Sequence, residues 1–323
     1  MSSAYSFGTI IDRVQSLSLK TIAGVVIGCS ILFYWRSKLS SRHLRKSSTL
    51  GGTRNLGNEI VIVTGGSGGI GQHISEQLAR EKARVLILDI KAPEFQLSTG
   101  IAFYKTDITS TKDVARVASE IRHLYGDPTA LVNAAGVFNR GSLLENDERE
   151  IRETFEVNTL SHFFLVKEFL PSMIQMNRGH IITVASAASF VTVAEMMAYC
   201  CTKASALAFH EGLGQELKHW YNAPGIKTSI IHPLWVQTSL IKGFTQYQSH
   251  FSQPVMSPEV VAEAVVEQIV YQKSDQVFLP KRLWLAGCLR AFPRGIQEMI
   301  RSSYSQVIWR VRNARLADNA GGK

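Results

Sequence analysis

The 323-residue sequence predicts an α/β fold, a doubly wound parallel sheet of about seven strands with helices on both faces. Three observations predict it. From 59 to 280, short apolar runs alternate with helical patterns, as βαβ units require. The first run, Ile60–Val63, is continuously apolar, as a strand covered on both faces should be. It passes directly into a turn with glycines at 65, 66, 68, 69 and 71, and then into a helical pattern reaching Lys82.

In chain order, residues 1–20 carry no pattern. Thr21–Trp35 is an uncharged apolar run ending in Phe33, Tyr34 and Trp35, an aromatic belt of the kind found at membrane interfaces. Basic residues follow it (Arg36, Lys38, Arg42, Arg45, Lys46), and no small-residue cleavage site appears, so 21–35 reads as an uncleaved membrane anchor. The positive flank places the C-terminal side in the cytosol. Residues 36–58 read as a basic linker, and 59–280 as the catalytic domain. The two ends are basic: 1–58 has eight Lys/Arg against one acid and 281–323 nine against two, while 59–280 has 18 against 23. That asymmetry argues against a nucleic-acid groove and for ends that meet a negative surface. Four cysteines without framework spacing imply reduced thiols, and no metal-ligand cluster is evident.

Within the domain, strands are predicted over Ile60–Val63, Arg84–Asp89, Ile101–Thr106, Ala130–Asn133, His180–Ala185, Lys227–His232 and Gln276–Leu279. Helices are predicted over Gly69–Lys82, Thr111–Tyr125, Asp147–Gln175, Ala198–Tyr221 and Pro258–Gln272. A strand, a glycine turn and a helix together hold a dinucleotide. The turn lets backbone approach a pyrophosphate, and the helix N-terminus faces its charge. The spacing T-G-x-x-x-G-x-G fits Thr64, Gly65, Gly69 and Gly71. Asp89, at the end of the second strand, is placed to bind ribose hydroxyls and repel a 2′-phosphate, which favours NAD. Lys91 nearby keeps NADP as the alternative. Asp107 ends the third strand, placed for the adenine rim, and small residues of Asn133–Gly136 end the fourth.

Tyr199 and Lys203 are four residues apart on one helix face, and Ser186 ends the fifth strand thirteen residues earlier. A free tyrosine, with a pKa of about 10, is too weakly acidic to act as a base near neutrality. A neighbouring ammonium and an oxidised nicotinamide would bring it down. The serine would hold a substrate oxygen while a proton moves between that oxygen and Tyr199.

On these residues the chain resembles the short-chain dehydrogenases/reductases over about 59–240. The resemblance implies a Rossmann-type fold and the catalytic set Asn158, Ser186, Tyr199 and Lys203, with Asn158 anchoring a relay water. It implies cofactor contacts from Thr64, Gly65, Ser67, Gly69, Ile70, Gly71, Asp89, Asp107, Ile108, Asn133, Ala135, Tyr199, Lys203, Pro233, Val236 and Thr238. The sequence departs from the family at Ala134, where a second asparagine is usual, and at Leu234, where glycine is usual. The stretches FEVNTLSHFF, GHIITVASAAS and AYCCTKASALAFHEGL are similar to the membrane-bound branch of retinol and 17-beta-hydroxysteroid dehydrogenases. That branch implies a lipophilic alcohol or ketone, residence at the endoplasmic reticulum membrane or lipid droplet, and a homodimer by analogy. Two rival readings remain open: an NADPH-dependent ketoreductase of lipid synthesis, and a non-catalytic membrane scaffold on the same fold.

After the sixth strand, Gln237–Met256, with Phe244, Tyr247 and Phe251, is expected either to form a lid over the substrate or to pack on the domain. In 281–323 the apolar positions Leu285, Leu289, Phe292, Ile296, Ile300, Tyr304, Ile308 and Val311 recur at helical spacing, with arginines largely off that stripe. Pro293 predicts a break between two short helices. The stripe fits an interfacial helix on an anionic membrane, the alternative being a cover for the domain's own apolar surface.

Overall fold

The computed structural model describes residues 54–321, so the expected anchor at 21–35 and most of the linker lie outside the described residues. Among the described residues no helix is long and apolar enough to cross a membrane. The domain begins before residue 59. Arg54 N donates to Val270 O at 2.9 Å, the Arg54 guanidinium lies 2.7 Å from the Glu59 carboxylate, and Leu56 is buried in the core.

Seven parallel strands form one sheet in the order β3-β2-β1-β4-β5-β6-β9. They are β1 (Ile60–Thr64), β2 (Arg84–Asp89), β3 (Ile101–Lys105), β4 (Ala130–Asn133), β5 (Gly179–Val184), β6 (Ile226–Pro233) and β9 (Gln276–Leu279). β1 lies between β2 and β4, with Val61 opposite both Val85 and Ala130. The chain reverses direction across the sheet there, so a crevice opens at the C-terminal ends of β1 and β4, where open α/β sheets bind ligands.

Helices cover both faces because the strands are apolar on both. On one face lie α1 (Gly69–Arg80) and α7 (Pro258–Val270), packing Ile74, Leu78, Val261, Val265 and Ile269 against Val61, Val63 and Ile87. On the other, α2 (Thr111–Tyr125), α4 (Ser161–Met176) and α5 (Met197–His219) pack Val117, Ile121, Leu165, Phe169 and Leu213 against Ile62, Leu86 and Leu131. Each such side chain contributes about 1.5–3 kcal/mol by leaving water.

The predicted single helix over 147–175 is interrupted. α3 (Glu148–Phe155), closed by an Asp147–Glu150 capping box, runs into a π-turn at Glu156–Leu160 before α4. The extra residue re-aims Asn158 into the protein, where it is fully buried.

Beyond β6 come β7 (Trp235–Val236), α6 (Lys242–Thr245) and β8 (Val255–Met256), with β7 and β8 paired in parallel. Phe244 and Phe251 are buried here with Trp235, so these aromatics pack on the domain instead of facing a substrate. The C-terminal region breaks at Pro293 as predicted, but into unequal parts. Short turns with α8 (Trp284–Gly287) precede α9 (Arg294–Gly321), which is 28 residues long. Its stripe faces the protein towards its C-terminal end, where Ile308 and Val311 are buried like the preceding Leu289, while Leu285 and Ile296 are exposed. The stripe therefore covers the domain at Leu289, Ile308 and Val311.

Candidate active site

The crevice is built first by the glycine turn. Gly65 and Gly69 have φ of 68° and 53°, conformations that favour glycine. A Cβ on Gly65 would stand 2.7 Å from Ala135 Cα, and one on Gly71 would stand 2.2 Å from Gly65 O. Backbone is thus packed on backbone, and a phosphate can approach it closely. Asp89 braces the turn, its carboxylate accepting from Ser67 N and Lys91 N, both at 3.1 Å.

A cavity of about 1510 Å³ runs from this turn across the sheet. Gly65, Ser67, Gly69, Ile70, Gly71, Asp89, Asp107, Ile108, Ala135, Pro233, Val236 and Thr238 line it, as do Ser186, Tyr199 and Lys203. These residues fit a dinucleotide: a glycine cradle that side chains would fill, a helix N-terminus, and a carboxylate at the ribose end.

Three expected residues do not line the cavity. Thr64 is buried behind the turn, where its hydroxyl accepts from Ala134 N and Ala135 N at 3.1 Å and so ties β1 to β4. Asn133 is likewise buried behind the wall. Asn158 Oδ1 accepts from Val137 N, and its Nδ2 donates to Val137 O, both at 2.8 Å, and to Thr202 Oγ1 at 3.2 Å. Its amide holds Val137, which does line the cavity, and so acts on the site through that residue.

Ser186 and Tyr199 meet where β5 ends and α5 begins. Burial pushes the Tyr199 phenol up to about 12, only partly offset by a hydrogen bond with Ser186. Lys203 Nζ lies 5.6 Å from the Tyr199 ring centre and donates to Val184 O at 3.0 Å. Its own burial brings it down to about 8. The local field without cofactor therefore favours a neutral phenol.

Sequence reasoning missed His232. It is fully buried on β6, and burial lowers it to about 4, so the ring is neutral. Gln276 Nε2 donates to its Nε2 at 3.1 Å, which leaves the proton on Nδ1 to donate to Ser186 O at 3.1 Å. His232 thereby fixes the serine's backbone. The stripe of α9 was legible as a stripe, but not as the distal wall: Ile296, Ile300, Tyr304, Val307 and Ile308 all line the cavity. Among the described residues no group of side chains could hold a metal ion.

A dinucleotide crevice ending in serine, tyrosine and lysine on a doubly wound sheet defines a nicotinamide-dependent oxidoreductase. The family model for short chain dehydrogenases matches residues 59–248, and the chain belongs to that family. It is an NAD(P)-dependent alcohol dehydrogenase or reductase. It is 41% identical over 209 residues to dehydrogenase RED2 of Cochliobolus heterostrophus, covering 64% of this chain and 77% of the relative. It is 30% identical over 278 residues to 17-beta-hydroxysteroid dehydrogenase 13 of Homo sapiens, covering 84% and 88%. The fold matches a 3-ketoacyl-(acyl-carrier-protein) reductase from Brucella melitensis complexed with NADH, with a TM-score of 0.61, 20% identity and 68% and 96% coverage.

Proposed function

We propose that this enzyme interconverts an alcohol and a carbonyl on a lipophilic substrate, prefers NAD, and is held by residues 21–35 at the endoplasmic reticulum membrane or a lipid droplet with its catalytic domain in the cytosol. One observation carries the substrate class. Beyond Ser186 and Tyr199 the cavity is walled by Val191, Val193, Met196, Leu240, Ile300 and Val307, which offer a polar substrate almost no hydrogen bonds. The similarity to a hydroxysteroid dehydrogenase agrees with an oily ligand. A homodimer is proposed on family analogy.

Ser186 holds the substrate oxygen, and Tyr199 gives or takes its proton. Lys203 orients the ribose and adds positive charge beside Tyr199. Asn158 fixes Val137; since its amide is committed, any relay water would be held by its backbone. When bound, the oxidised nicotinamide accepts a hydride and brings a positive charge that favours the phenolate.

Intact microsomes carrying the full chain are the test. With NAD added outside and a panel of retinoids, steroids and long-chain alcohols, turnover should proceed without permeabilisation. Activity confined to short polar alcohols would refute the substrate class, and activity only after permeabilisation would refute the orientation.

The cofactor preference rests on Asp89. A carboxylate facing a 2′-phosphate at close range repels it by several kcal/mol before screening. NADH should bind at least ~10-fold more tightly than NADPH, and Asp89→Ser should narrow the ratio to within a few-fold, read by fluorescence titration. Equal affinities in the unaltered protein would remove the argument.

A further inference from the structure

Three segments that wall the distal cavity meet at one buried carboxylate that does not itself line it. Glu195 lies four residues before Tyr199, is 7% exposed, and has a left-handed backbone with φ of 59°. Holding a non-glycine residue there is strained, and burying a carboxylate is costly unless it is paired. Its partners supply the pairing. Arg140 Nε lies 3.5 Å from Glu195 Oε2, while the Arg140 guanidinium stacks 4.0 Å over the Phe244 ring and donates to Gly243 O at 2.5 Å. From α9, Arg312 Nη1 donates to Glu195 Oε1 and to Glu145 Oε2, each at 2.7 Å, and its Nη2 donates to Glu145 Oε1 at 2.5 Å. Arg315 lies 3.6 Å from Glu195, and Ala194 N donates to Ser305 Oγ at 3.1 Å.

The cluster therefore joins the loop carrying Val193 and Met196 into α5, the segment carrying Leu240 and Ile241, and α9 carrying Ile300 and Val307. It is unequal in exposure. The side chains of Arg140 and Glu195 are 13% and 5% exposed, whereas those of Arg312 and Glu145 are 24% and 45% exposed. Water can therefore compete for the α9 half but not for the inner half.

We propose that Glu195, Arg140 and Arg312 are positioning residues: a latch that fixes α9 against the domain as the distal wall of the substrate chamber, its outer half, Arg312–Glu145, being the part that releases. Discrimination between long and short substrates depends on it, a point that rests on the lipophilic reading above. A purely apolar contact at this place would cover the domain as well, but would not depend on the charge of Arg312, which bonds both Glu145 and Glu195.

The test uses the full chain in detergent with NADH bound. Arg312→Gln should speed amide hydrogen exchange across 300–316 by at least ~10-fold and leave exchange in β1 and β4 unchanged, with Arg312→Lys between the two. With 2-dodecanol and NAD, the KM of Arg312→Gln should rise ~10-fold with kcat within about twofold, while kcat/KM for 2-butanol, too short to reach α9, changes at most about twofold. Glu195→Gln should show the same exchange pattern. Unchanged exchange over 300–316, or an equal loss with both alcohols, overturns the latch. Absence of 2-dodecanol turnover by the unaltered enzyme would count against the lipophilic reading, and the exchange measurement would then decide the latch alone.

Discussion

Tyr199→Phe is expected to lower kcat by about 10³-fold while leaving dinucleotide affinity within about twofold, since a positioned acid or base contributes roughly 10²–10⁴. The change removes one oxygen and keeps the ring, whose packing against Phe138 is edge-on at 5.4 Å. Among the described residues, none of the groups packed around the phenol is free to replace it. Ser186 is a weaker acid still, so its base form is scarcer, Lys203 is turned to the Val184 carbonyl, and His232 is committed to Ser186 O and Gln276. A direction in pH follows from the raised phenol. With burial holding Tyr199 up at about 12, the base form is scarce near neutrality. Alcohol oxidation should then rise as pH increases above neutrality, and the residual rate of Tyr199→Phe should not. Nicotinamide absorbance gives the rates and fluorescence titration the affinity. Turnover comparable to the unaltered enzyme would end the assignment of Tyr199.

The parts of this site that could be read from the sequence are those set by local chemistry. The turn from Thr64 to Gly71 is fixed by Gly65 and Gly69, which are left-handed, and by Gly66 and Gly71, where a Cβ would meet other atoms at under 3 Å. Tyr199 and Lys203 share a helix face whatever surrounds the helix. The strands announce themselves because parallel strands buried on both faces are continuously apolar.

What escaped was set by choice of partner. The π-turn at Glu156–Leu160 has no local pattern, since the demand comes from Val137, 21 residues away in sequence. His232 looked like a strand residue, and its partners lie on β9 and after β5. The stripe of α9 was visible, but an apolar face states only that something covers it, and the cover proved to be the cavity. Without the nicotinamide's charge, burial raises Tyr199, and the Lys203 ammonium is turned to Val184 O.

Lys203 carries the other large effect, and it couples stability to chemistry. Replacing it with methionine should abolish turnover to the same degree as loss of Tyr199, yet raise the stability of the cofactor-free protein near neutral pH. Burial brings Lys203 down from 10.5 to about 8, which corresponds to about 3 kcal/mol at roughly 1.4 kcal/mol per unit. Below about 8 the lysine is protonated in both states, and the folded protein bears the whole cost of the buried charge. Between about 8 and 10.5 the unfolded chain binds a proton that the folded one does not, so the unaltered protein gains stability as pH rises. Above 10.5 the cost is gone. Loss of the charged hydrogen bond to Val184 O offsets the gain by about 1.5 kcal/mol, leaving a net increase of about 1–2 kcal/mol for Lys203→Met at pH 7. That advantage should shrink steadily towards pH 10. The rise of Tyr199 is common to both proteins and largely cancels in the difference. Thermal unfolding of the two proteins without cofactor, at intervals between about pH 7 and 10, reads this directly. A variant less stable at pH 7, or a difference that does not fall with pH, would show that the lysine is not carried at a cost. If the difference does fall, the cation beside Tyr199 is kept for its charge, against the preference of the fold.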